Sequence, residues 1–116
     1  MRVLVVEDEF LVGIQLEEDL RAAGCSIVGP FVSLETATVA ARSERFDLAL
    51  LDINLNGEPV YPLADELSAR AVPFIFLSGY LSAALPERFK GSPQIAKPHE
   101  PAALLKAIRA AVPQAD

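Results

Sequence analysis

Cysteine occurs once in the chain, histidine occurs once, and lysine and arginine nowhere gather into a cluster. The lone Cys25 excludes an internal disulfide and suits a reducing, cytoplasmic setting. Inside "GCSIVG" it reads as a small buried apolar group. The lone His99 is expected on the surface at the start of the last helix, with no metal or catalytic role. With 10 basic against 16 acidic residues the net charge is −6. No positive stripe is available to follow a phosphate backbone, so direct nucleic-acid binding is not expected. The acidity reads as a solubility feature. Long apolar runs are missing too: none approaches the roughly 20 residues that span a bilayer. The opening "MRVLVVEDE" meets acids by residue 7, too early for a signal peptide. No repeat or low-complexity segment interrupts the chain, and "VPQAD" is its only tail.

What is present is a well-supplied core. Hydrophobic residues make up 52% of the 116, and the mean hydropathy is +0.32. That suits one domain, residues 1–116, burying about two-thirds of its unfolded surface. Short β-branched or aliphatic runs alternate with stretches of helical period. "VLVV" at 3–6 stops at Glu7, Asp8 and Glu9. From Phe10 to Ala23 a helix follows, with Val12, Leu16, Leu20 and Ala23 on one stripe and Phe10 and Ile14 beside it. Phe10 and Leu11 read mainly as core packing, and as a possible contribution to a partner's interface. Gly24 suits a C-cap, and "CSIVGP" makes a second strand. Ser33 can cap a helix over 34–43, with Glu35 where the macrodipole favours it. "LALLD", 48–52, is the third strand and "NLNGE" is turn chemistry. A helix through "LADELSARA" follows, with Pro62 tolerated in its first turn. "FIFLS", 74–78, is the fourth strand, and a short helix from about Ser82 is cut by Pro86. "QIAK", 94–97, is the fifth, and Pro101 opens a last helix with Leu104, Leu105, Ile108 and Val112 on one face.

Five strands apolar on both sides, alternating with five helices, predict a parallel sheet covered on both faces. With right-handed crossovers this is an α/β, doubly wound (βα)5 three-layer sandwich. In such a sheet the carboxyl ends of the strands share one edge, where ligands bind. Glu7 and Asp8 end the first strand, Asp52 the third, Ser78 the fourth and Lys97 the fifth. A buried ionised acid costs several kcal/mol unless it is paired or metal-bound, so Asp52 needs this company. Three carboxylates at one rim repel one another unless a hard divalent cation lies between them, and oxygen-only ligation suits Mg2+.

In this pattern the chain resembles a response-regulator receiver domain of the CheY-like kind over essentially its whole length. "VLVVEDE", "LALLDINL", "FIFLSGY" and "IAKP" match the four signature segments in order. The resemblance implies a flavodoxin-like sheet in the order 2-1-3-4-5. It implies that Asp52 is the phosphoacceptor and that Mg2+ is held by Glu7, Asp8, Asp52 and the backbone carbonyl of Asn54. Of these, Asp8 would bind directly and Glu7 through water. Ser78 then takes the place of the switch hydroxyl, and Lys97 that of the conserved-type lysine, followed by a commonly cis bond to Pro98. The phosphoryl donor would be a histidine kinase or histidine phosphotransfer protein. The output would be protein binding, to a downstream target or in a receiver homodimer, with no turnover of external substrates. The chain ends with its fifth helix, so no DNA-binding or enzymatic output domain is expected within it.

Two departures stand out. Gln94 occupies the place where receivers carry an aromatic that turns inward as the hydroxyl moves. Tyr80 stands two positions past Ser78, and "FLSGY" resembles the "FATGY" segment of stand-alone receivers that work with HWE-like kinases. On that likeness Tyr80 rather than Gln94 is the aromatic reporter of the switch. Two other readings stay open. A phosphorylation-independent interaction module could use the same scaffold, and Gln94 leaves room for it. A small haloacid-dehalogenase-like phosphatase is disfavoured, because Asn54 cannot supply that family's second acid.

Overall fold

A computed structural model describes residues 1–79 and 85–112. In chain order the elements are β1 (Arg2–Val6), α1 (Phe10–Ala22), β2 (Ser26–Phe31), α2 (Leu34–Ser43) and β3 (Leu48–Asp52). Then come β4 (Asn54–Leu55), β5 (Glu58–Pro59), α3 (Tyr61–Ala69), β6 (Phe74–Ser78), β7 (Gln94–Ala96) and α4 (Pro101–Ala111). The main sheet is parallel throughout, in the order β2-β1-β3-β6-β7. With the small β4–β5 hairpin set aside, this is the expected 2-1-3-4-5 arrangement.

Each face of the sheet carries its own core. Leu4, Val6, Ala49, Leu51 and Phe76 point to one side, where α2 and α3 cover them with Ala37, Ala41, Leu63 and Leu67. Val3, Val5, Leu48, Leu50 and Ile75 point to the other, under Leu16 and Leu20 of α1 and Leu104 and Ile108 of α4. This two-sided burial is why β1 and β3 read as unbroken apolar runs rather than alternating ones. Gly29, at φ +109°, allows the register of β1 against β2 to shift. A Cβ there would come within 2.7 Å of the Val5 carbonyl oxygen. The shift lets the Glu7 N–H donate to the Phe31 carbonyl at 2.9 Å, which anchors the chain where β1 ends.

Local expectations are refined in places. The turn expected at "NLNGE" is present at Asn56 (φ 51°) and Gly57 (φ 90°), and it links two short antiparallel strands that the sequence did not announce. Two successive positive φ values are what a two-residue hairpin loop with right-handed strand twist demands. Helix α3 runs Tyr61–Ala69 with Pro62 in its first turn, as expected. The helix expected from Ser82 begins outside the described residues; beyond it, Glu87–Phe89 form one 3-10 turn. Among the described residues there are four α-helices, and the remaining expected one falls on residues outside them. Phe89 packs into an aromatic group, its ring centroid 5.7 Å from Tyr61 and 5.4 Å from Phe76.

Candidate phosphoacceptor site

The register places the functional side chains. Asp52 pairs with Leu77 and Ser78 with Ala96, so β3, β6 and β7 end almost level. Asp52, Ser78 and Lys97 line one cavity of about 470 Å3, together with Asp8, Glu9, Asn54, Asn56 and Gly57. Glu7, Asp52 and Ser78 are the buried polar or charged residues among those described.

Lys97 is the centre of the charge network. Its Nζ lies 3.3 Å from Asp52 Oδ2, 3.1 Å from Glu7 Oε1 and 2.7 Å from Glu9 Oε1. Backbone amides complete the frame. The Glu9 N–H donates to Glu7 Oε2 at 3.0 Å, the Asn54 N–H to Asp52 Oδ1 at 3.3 Å and the Asn56 N–H to Asp8 Oδ2 at 3.0 Å. The hairpin therefore holds Asp8 as well as walling the cavity. The Asn54 side chain is committed to the turn, accepting from the Gly57 N–H at 2.7 Å.

One ammonium does not neutralise these acids. Carboxylate oxygens of Glu7, Asp8, Glu9 and Asp52 lie within 4.8 Å of one another. Burial pushes the Asp52 carboxyl up to about 8, helped by hydrogen bonding with Asp8 and Glu7 and by the Glu7 charge, with Lys97 opposing. Burial acts the same way on Asp8. Hydrogen bonds with the Asp52 carboxyl and the Asn56 amide outweigh it and hold Asp8 below its ordinary value. For Lys97 burial favours the neutral amine, but Glu9, Asp52 and Glu7 raise its pKa and keep it charged. An uncompensated all-oxygen set of this kind fits a hard divalent cation. These residues would accept Mg2+.

The remaining predicted residues divide. The Lys97–Pro98 bond is cis. Gln94 is exposed, pairs with Phe76 along the sheet and is not part of the cavity wall. Tyr80 lies outside the described residues. Two residues matter more than the sequence suggested. Glu9 holds the shortest contact to Lys97; its signal was the third acid of "EDE". His99 is not on the surface. Its side chain is 3% exposed and donates through Nε2 to Asp19 Oδ2 at 2.6 Å. Conversely, Phe10 and Leu11 are not core: each is 78% exposed. Phe10 stands with Ile14 and Val32 beside a smaller cavity that also touches Glu9. Cys25 is a half-buried free thiol on the α1 side of the core. Among the described residues, no helix is long and apolar enough to cross a membrane.

Comparison with known proteins adds weight to this geometry. The solution structure of SdrG from Sphingomonas melonis Fr1 matches with a TM-score of 0.86 and 33% identity, covering 95% of this chain and 94% of that one. A BeF3-activated conformation of SdrG matches at 0.81. The transcriptional regulatory protein PdtaR of Mycobacterium tuberculosis is 32% identical over 115 residues, 96% of this chain and 56% of PdtaR. The phyllosphere-induced regulator PhyR of Methylorubrum extorquens is 32% identical over 109 residues, covering 86% of this chain and 39% of PhyR. The chain thus spans about half, or less, of the curated relatives it matches. No protein-family model matches it.

Proposed function

The chain belongs to the response-regulator receiver family, and on that premise we propose that Asp52 accepts a phosphoryl group from a phosphohistidine and thereby switches protein binding. The donor is a histidine kinase or a histidine phosphotransfer protein. One observation carries the reading: a buried carboxylate at a strand end, 3.3 Å from a lysine ammonium and open to a cavity of about 470 Å3. Neither a bare structural acid nor a simple ion pair needs that space.

In the step itself, an Asp52 carboxylate oxygen forms the new bond to phosphorus while the donor's N–P bond breaks. The electron pair of that bond stays on the imidazole nitrogen, which leaves as a protonatable base. Little covalent work falls to the protein beyond the nucleophile, so positioning and charge stabilisation do the rest. Lys97 donates to a phosphoryl oxygen, and the backbone N–H of Asn54 keeps Asp52 oriented. Glu7, Asp8, Asp52 and the Asn54 carbonyl would hold Mg2+, which when bound neutralises charge on the transferring group. The product adds about −1.5 to −2 charge at the rim. The Ser78 hydroxyl turns to donate to it, drawing the segment after β6 and shifting the population of binding surfaces.

As a receiver the chain is a switch and not a turnover enzyme on external substrates. Self-phosphorylation from small donors and self-dephosphorylation complete the proposal. Residues 1–116 act as one receiver unit in the cytoplasm. "FLSGY" and the likeness to SdrG support the "FATGY" subgroup working with HWE-like kinases, with Tyr80 as aromatic reporter. Phe10 and Leu11, exposed beside the site, offer a kinase helix bundle an apolar foothold. Output passes to a downstream protein or a second receiver.

The test is labelling with acetyl phosphate and Mg2+. The parent should take one phosphoryl group and Asp52→Asn none; labelling of Asp52→Asn overturns the assignment. Beryllofluoride with Mg2+ should perturb the parent. Absence of both labelling and perturbation would favour the phosphorylation-independent interaction module, the reading that exposed Gln94 leaves in play.

A further inference from the structure

The one histidine of the chain is buried against an aspartate behind the lysine of the site, and nothing in the proposed chemistry uses it. Its place in the backbone suggests why it is there. Upstream, Lys97 is fixed to the sheet by its N–H, which donates to the Ser78 carbonyl at 2.8 Å. Downstream, the strand has ended and Pro98 and Pro101 carry no N–H. Glu100 leads into α4, its carbonyl accepting from the Leu104 N–H at 3.0 Å, and the bond from His99 to Asp19 ties this stretch to α1.

That bond is built to hold. The side chains of His99 and Asp19 are 3% and 15% exposed, so water competes weakly for either. The Asp19 carboxylate is itself oriented, because Gln15 Nε2–H donates to its other oxygen at 3.1 Å. A carboxylate has only acceptors, so His99 is the donor at 2.6 Å. Asp19 belongs to α1, the helix that begins directly after Glu7, Asp8 and Glu9. One rigid element therefore sets the acids at its N-terminal end and, three turns on, grips the loop that carries the lysine.

We propose that His99 is a positioning residue: through Asp19 it fixes the Lys97–His99 loop on α1 and so sets where the Lys97 ammonium stands relative to Asp52. This rests on the reading of Asp52 as phosphoacceptor. Lys97 divides its three donors among acids 2.7–3.3 Å away. Released from its anchor, the loop lets the ammonium settle on exposed Glu9, the shortest of these contacts, at the expense of Asp52. Misplacement of a reacting partner by about 1 Å lowers rates by up to about a hundredfold.

The experiment measures the rate constant for labelling by acetyl phosphate at saturating Mg2+, well below the melting temperature and per folded molecule. His99→Ala should lower it about tenfold. Asp19→Ala should do the same, and the double variant should be no slower than either single one. His99→Gln, whose amide N–H reaches towards Asp19, should recover much of the rate. Variants that melt earlier yet label at the parent's rate show a stabilising pair only and overturn the proposal. A readout on the parent needs no variant to fold: the His99 ring resonances should shift when Mg2+ and beryllofluoride are added, and unmoved resonances also overturn it. If the parent neither labels nor responds to beryllofluoride, the phosphoacceptor reading fails instead, which is a different result.

Discussion

Replacing Asp52 with Asn should make the metal-free protein more stable while abolishing its labelling. The magnitude follows from the crowding of acids around one lysine. Asp52 is pushed up to about 8 from an ordinary 3.8. Between those values the folded state keeps a proton that the unfolded chain releases, so this group lowers stability as pH rises from about 4 to about 8. At about 1.4 kcal/mol per unit the ceiling approaches 6 kcal/mol. Relaxation and the Lys97 charge reduce it, and removal of buried ionic groups gains about 1–4 kcal/mol in practice. An effect near 2 kcal/mol, or roughly 8 °C in melting temperature, is therefore expected at pH 8 in chelator. The assay is urea and thermal unfolding of parent and variant from pH 5 to pH 8, in chelator and in excess Mg2+. The gap between the two proteins should widen with pH in chelator. In Mg2+ it should shrink, because the cation supplies the missing positive charge to the parent. A variant no more stable than the parent at pH 8 in chelator, or a gap that does not change with pH, would refute the argument.

Glu9→Gln should free Lys97 from its shortest contact and speed labelling by acetyl phosphate at saturating Mg2+, by about two- to fivefold if the lost attraction is worth under 1 kcal/mol; a slower variant would mean that Glu9 serves the cation instead. Gly29→Ala forces a Cβ to within 2.7 Å of the Val5 carbonyl at φ +109°, so unfolding should show a loss of about 2–3 kcal/mol, with Mg2+ affinity reduced as the Glu7 anchor slips. Tyr80→Ala should leave labelling intact but remove the phosphorylation-dependent change in partner affinity, as measured by titration with the kinase or target; an unchanged response would dismiss Tyr80 as reporter.

The order of elements was legible because buried parallel strands write themselves as "VLVV", "LALLD" and "FIFLS", each stopped by a polar residue. The meeting of Asp8, Asp52, Ser78 and Lys97 then follows from topology alone, since parallel strands put all their carboxyl ends at one edge. Features set by distant pairing stayed hidden. His99 looked exposed because nothing nearby in sequence hints at Asp19, 80 residues away. The hairpin escaped because its strands are two residues each, too short for any period to show, although Asn56-Gly57 is a strong turn signal. Helical periodicity grouped Phe10 with the core stripe of α1. It carries no information on where the sheet beneath the helix stops, and Phe10 and Leu11 in the first turn are exposed.

The rung between the Lys97 N–H and the Ser78 carbonyl, 2.8 Å long, makes a single jaw of two residues with different work. Whatever drags the main chain of Ser78 toward an incoming ligand tugs the lysine's own backbone with it. Clamping at one side of the mouth and reshaping of the surface beyond it thus share one backbone link, through which a shift on either side is felt on the other.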